Sequence, residues 1–177
     1  AGASAVFLGG TVNQLAATGN VTGGGNLTFN GTHTGDNAGV FYLIANVSVQ
    51  AGQLSVLGTS NTSFGIRNNV ELNANVAANS TLSMIGTSQS GHGFITVTSS
   101  SINISGAGTT QITGRSTDGT GMVLANNGNY TVSGGNLSLT GQSVNGIGLG
   151  LVEINATAPA LKTISIASGS TLSLIHI

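Results

Sequence analysis

The sequence predicts an all-β fold, a right-handed parallel β-helix (β-solenoid) of about six coils, each with three short strands. Three observations predict it. Glycines that close a short apolar strand, Gly31, Gly58, Gly86, Gly114 and Gly141, lie 27, 28, 28 and 27 residues apart. The apolar residues alternate with polar ones, so members of a pair share one face of a strand. Finally, only 4% of the residues are charged while Gly, Asn, Ser and Thr fill over half the positions, a composition that cannot solvate helices but suits a pleated sheet.

The first strand of the unit precedes each glycine and carries the pairs Leu27/Phe29, Leu54/Val56, Leu82/Met84, Thr110/Ile112 and Leu137/Leu139. A second apolar mark comes about six residues earlier, at Val21, Val47/Val49, Val76, Ile102/Ile104 and Tyr130/Val132. A third follows the glycine, at Val40 to Ile44, Phe64/Ile66, Phe94/Ile95, Met122 to Leu124 and Ile147/Leu149/Leu151. Similar residues at equal phase call for stacking in register, which parallel coils provide and a hairpin meander does not. Gly and β-branched residues in every window exclude helices. Six coils at the strand spacing make a rod about 30 Å long.

Residues 1–177 read as a single β-solenoid piece of a longer protein, because the repeat is already running near Ala1. Leu172/Leu174 resume the strand pair 35 residues after Leu137/Leu139. The excess predicts a loop insertion near 155–163, where Pro159 costs no ladder hydrogen bond. The terminal LSLIHI coincides with a translated sequencing-library transposon end, which marks 172–177 as a candidate non-native end.

Composition also excludes functions. Three Lys and Arg against four Asp and Glu leave no basic patch for nucleic acid. Without cysteine there is no disulfide or thiolate metal site, and no apolar run is long enough for a transmembrane helix. Asp36 and Asp118 share a phase, as do Glu71 and Glu153, but three coils put each pair about 14 Å apart, beyond the roughly 5–9.5 Å of glycosidase carboxylates. His33, His92 and His176 fall at different phases and make no ligand cluster; the first two are expected in turns or on the outside. Arg115 is expected to pair with Asp118. No Gly-x-Ser-x-Gly elbow or calcium β-roll unit occurs, and TGGGN at 22–26 lacks the Lys and helix of a phosphate loop. THT at 32–34 and TVT at 96–98 lie at different phases, which breaks a threonine array of the ice-binding kind. The reading is no enzyme, with no catalytic residue, cofactor or metal.

The enriched motif is Asn-x-Ser/Thr, which makes Asn20, Asn26, Asn30, Asn46, Asn61, Asn79, Asn103, Asn129, Asn136 and Asn155 candidate N-glycan acceptors. Alternation of polar residues in strands also produces this motif, and some of these side chains are candidates for interior amide ladders.

The runs GNLTFNGT, GQLSVLGTS and GNLSLTGQSVNGIGLGL resemble the β-helical repeats of Gram-negative secreted exoproteins: filamentous-haemagglutinin-like and high-molecular-weight adhesins of two-partner secretion, and autotransporter passengers. The resemblance implies a secreted rod at the bacterial cell surface, associated with the outer membrane, that mediates attachment or aggregation. It implies an outer-membrane transporter barrel as export partner and a host or neighbouring-cell receptor or glycan as ligand. Some such adhesins carry glycans on Asn-x-Ser/Thr. The alternatives are an inert portion of a β-helical polysaccharide-degrading enzyme and an ice-binding solenoid.

Overall fold

The computed structural model describes residues 6–8, 17–21, 26–34, 38–97, 99–125, 128–150 and 163–177; at 6–8, 17–21, 40–45 and 163 the description is of the backbone. The expected insertion near 155–163 and its Pro159 therefore lie almost wholly outside the described residues. Those residues form strands and turns with no helix, and every strand pair is parallel. The chain is a β-solenoid.

One face is a six-stranded sheet of β3 (Asn26–His33), β5 (Gln53–Ser60), β7 (Thr81–Ser88), β10 (Thr109–Ser116), β13 (Asn136–Ser143) and β16 (Thr171–His176), stacked in that order. The register is that of the glycine repeat, Gly31 on Gly58 on Gly86 on Gly114 on Gly141, and Leu172 and Leu174 continue it above Leu137 and Leu139. Six passes of one strand enclose only five turns, and the last runs through 151–162. About four full turns can be followed, from β3 to β13, rather than six coils.

The other two faces belong to one ten-stranded sheet, because β4 (Val40–Val49) and β6 (Phe64–Val76) run through the corner between them. Beyond these long strands the faces separate. One continues through β8 (His92–Thr96), β11 (Met122–Val123) and β14 (Leu149–Gly150), the other through β9 (Ser101–Ser105), β12 (Asn129–Val132) and β15 (Thr163–Ile166). Before them, β1 (Val6–Leu8) and β2 (Ala17–Val21) pair with the two halves of β4.

The interior is a set of apolar columns, one residue per coil: Leu54, Leu82, Thr110 and Leu137; Val56, Met84, Ile112 and Leu139; Ile66, Phe94 and Met122; Leu72, Ile102 and Tyr130. Burial of such side chains stabilises by about 1.5–3 kcal/mol each. Of the third apolar mark, Ile66, Phe94, Ile95, Met122, Val123 and Leu124 are buried, whereas Phe64 is only half-buried and Ile147 is exposed. Tyr130 is the polar member of its column. Thr96 accepts from the Ala125 N–H (2.9 Å) and meets the tyrosine hydroxyl at 2.8 Å, and that hydroxyl donates to the Ala125 carbonyl (3.3 Å). The closed circuit leaves no orphaned group, and burial raises the tyrosine pKa.

A stacked ridge stands at one corner. After β5, β7, β10 and β13 the chain loops out and returns seven residues beyond the strand glycine, so that Gly58 meets Gly65, Gly86 meets Gly93, Gly114 meets Gly121 and Gly141 meets Gly148. A Cβ on the first of each pair would lie 2.0–2.1 Å from the carbonyl oxygen of the second, so only glycine permits the pinch. A serine braces each loop. Ser88 donates to the Ser63 carbonyl of the coil before (2.8 Å) and accepts the Gly91 N–H (2.9 Å). Ser116 bonds the Gly91 carbonyl and Gly119 N–H in the same way (2.8 and 2.9 Å), and Ser143 the Gly119 carbonyl and Gly146 N–H (2.7 and 3.0 Å).

Candidate functional site

The outer surface of the β6–β9–β12 face holds the most organised polar array. Inward Leu72, Ala74, Ile102, Ile104, Tyr130 and Val132 leave the odd-phase residues outside. Stacking then builds three rows along the rod: Glu71, Ser101 and Asn129; Asn46, Asn73, Asn103 and Thr131; Ser48, Asn75 and Ser105, with Ser133 one step beyond β12. Rows lie about 6.6 Å apart across the strands and coils about 4.8 Å apart along the axis.

The central row is a directional amide ladder. Asn103 Nδ2 donates to Asn73 Oδ1 (2.9 Å) and to Glu71 Oε1 (3.2 Å), and Asn73 Nδ2 donates to Asn46 Oδ1 (3.0 Å). The amide ladder expected in the interior is thus on the outside, because the interior columns of this face are filled by aliphatic residues and Tyr130. In the third row, Ser105 and Ser133 donate to carbonyls of the preceding coil, Ala74 (3.2 Å) and Ile104 (3.1 Å). Their lone pairs stay open to the surface. The second and third rows line a shallow groove of about 310 Å³.

The candidate acceptors scatter over the rod. Asn26, Asn30, Asn129 and Asn136 are exposed on strands, and Asn136 Oδ1 accepts the Thr171 hydroxyl. Asn61 is exposed in a ridge loop. Asn79 occupies a left-handed turn at φ 62°, a conformation Asn tolerates better than most residues, so turn chemistry accounts for that motif. Asn46 and Asn103 are in the ladder, where both amide hydrogens of Asn103 are engaged. Asn20 is on β2, and Asn155 lies outside the described residues.

Among the described residues the titratable groups do not converge. Asp36 and Glu153 lie outside the described residues, and Glu71 faces the ladder. Arg115 and Asp118 do not depend on each other: Arg115 Nε donates to Gln142 Oε1 (3.0 Å) and Asp118 Oδ1 accepts from Asn145 (2.8 Å), each one coil onward, because register places these partners directly above. Among the described residues no group of three or more His, Asp or Glu could hold a metal ion. Thr32 does stack with Thr59 and Thr87, but Arg115 replaces the next threonine. Thr96 is interior rather than part of an outer array, and Thr98 lies outside the described residues.

His92 is not in a turn. It opens β8 and stacks on Phe64 one coil below (centroids 5.7 Å apart, planes at 20°), with the Arg67 guanidinium 5.3 Å from the Phe64 centroid. Its Nδ1 is buried without a hydrogen-bond partner. Burial lowers the imidazole pKa from its ordinary value. In mild acid the unfolded chain therefore takes up a proton that the folded one refuses, so the His92 contribution to stability is full above about pH 6.5 and declines as pH falls toward the lowered value. Urea midpoints measured across this range should fall with acid, and His92→Gln should flatten that part of the profile.

Compared with protein-family models, curated proteins and solved structures, the chain finds no match.

Proposed function

We propose that this chain is part of the rod of a surface-exposed or secreted repetitive adhesin or structural stalk, exported through an outer-membrane transporter barrel, and that it mediates attachment or aggregation rather than catalysis. The observation that carries the reading is the outer array: coil after coil repeats uncharged amides and hydroxyls, while Glu71, Arg115 and Asp118 are dispersed and engaged with neighbouring coils. Such a surface offers many weak, equivalent contacts, and contacts of this kind acquire strength by number. A nearest-neighbour stack also gains its stability coil by coil, which suits a chain that folds after export.

Beads coated with the purified chain should attach to cells, or to one another, more than beads coated with albumin or with a shuffled-order chain. Equal attachment of all three would overturn the reading. Release of reducing sugar from a polysaccharide by the purified chain would replace it with the enzymatic one.

A further inference from the structure

We propose that the groove along the amide ladder binds a neutral, extended polysaccharide lying parallel to the rod axis. The inference rests on the adhesin reading and adds the chemical class of its ligand.

Three features of the groove select that class. Its polar groups are mixed in sense and still have capacity after their contacts within the protein are counted. Among the described residues Asn46 Nδ2 and the whole Asn75 side-chain amide have no hydrogen-bond partner, Asn103 Oδ1 is an open acceptor, and Ser105 and Ser133 use their protons on carbonyls and present lone pairs. Sugar hydroxyls, each donor and acceptor at once, match such a set.

The spacing is the second feature. Amides recur once per coil, about 4.8 Å along the axis, close to the advance of one pyranose unit in an extended chain. Each successive unit would meet an equivalent pair of side chains from the second and third rows, whose separation of about 6.6 Å spans a pyranose ring with its substituents.

Charge is the third. The groove holds no cation to pair with an acidic polymer or a nucleic-acid phosphate, and its flanking carboxylate, Glu71, is held by Asn103 and would repel an anionic chain. The Tyr, Trp and Arg anchors that dominate protein interfaces are absent from its lining. With no aromatic platform, each coil contributes a weak contact and affinity grows with the number of coils engaged.

The test is affinity electrophoresis of the purified chain through gels containing hydroxyethylcellulose, a soluble neutral β-1,4-glucan, with polygalacturonate as the acidic counterpart. Hydroxyethylcellulose should retard the chain, added salt should leave the retardation unchanged, and polygalacturonate should retard it less. Asn73→Ala and Asn75→Ala should each weaken binding about three- to tenfold, the effect of one hydrogen bond. The Asn75 side chain makes no hydrogen bond among the described residues, so its loss cannot act through the ladder, and Ser83→Ala on the six-stranded face should change nothing. Absence of retardation, retardation of both Asn variants equal to that of the unaltered chain, or binding that favours polygalacturonate or falls with salt would overturn the proposal. The gel reads this groove and the bead assay reads attachment, so either can fail while the other succeeds.

Discussion

Gly86→Ala is expected to destabilise the chain by more than about 4 kcal/mol, in the range reserved for severe backbone conflict, and to abolish cooperative unfolding. The added Cβ would sit 2.0 Å from the Gly93 carbonyl oxygen, 2.7 Å from its carbon and 2.9 Å from the Ile66 nitrogen. All three atoms are backbone, so no side chain can rotate away. Relief would require opening the ridge, and the ridge is tied to the coils on either side: Ser88 bonds the Ser63 carbonyl, and the Gly93 N–H donates to Thr120 O (3.1 Å). Ordinary overpacking costs about 1–3 kcal/mol because cores can shift; here the obstacle is the fold's own path. Gly169→Ala is the control. Gly169 has φ +79° but nothing within 4 Å of a Cβ, so alanine there should cost only the left-handed penalty of about 1–2 kcal/mol. Urea unfolding followed by far-UV circular dichroism measures both, and a Gly86 variant no less stable than the Gly169 one would refute the glycine pinch.

Phe94→Ala is expected to cost about 3–5 kcal/mol. Phe94 is fully buried between Ile66 and Met122 in a column of single residues. Its neighbours are held by strand pairing above and below, so they cannot close the cavity without breaking ladder hydrogen bonds. In a stack stabilised by nearest neighbours, weakening one coil also uncouples its two sides, so the transition should broaden as well as shift. Leu174→Ala, in a strand position that is 42% exposed, should cost far less. Comparable losses at the two positions would mean that the columns do not carry the stability assigned to them.

Much of the rod was legible in the chain. The spacing of Gly31, Gly58, Gly86, Gly114 and Gly141 predicted the register that the six-stranded face adopts, residue for residue, and the pairs before those glycines are its inner columns. The ridge has its own signal in the chain, a second glycine seven residues after Gly58, Gly86, Gly114 and Gly141. The ladder had none of comparable clarity. Asn73 lies 27 residues from Asn46 but 30 from Asn103, so a uniform period does not align them. The offset arises after β8: Asn68 pairs with Thr96, while Glu71 pairs with Ser101, and the turn between absorbs the extra residues.

What the sequence by itself determined is therefore the coil and its inside. An inward position stacks on its own equivalent in the next coil, and equal phase then demands a similar apolar residue each time, a constraint that leaves a periodic record in the chain. What only the tertiary structure decided is the outside: the glycine-pinched ridge, the Phe64–His92 stack and the amide ladder with its groove. The ladder joins residues whose separation changes from 27 to 30 as a turn lengthens, the pinched glycines keep a spacing of seven that does not by itself say that they touch, and solvent-facing positions need not repeat for the coils to close.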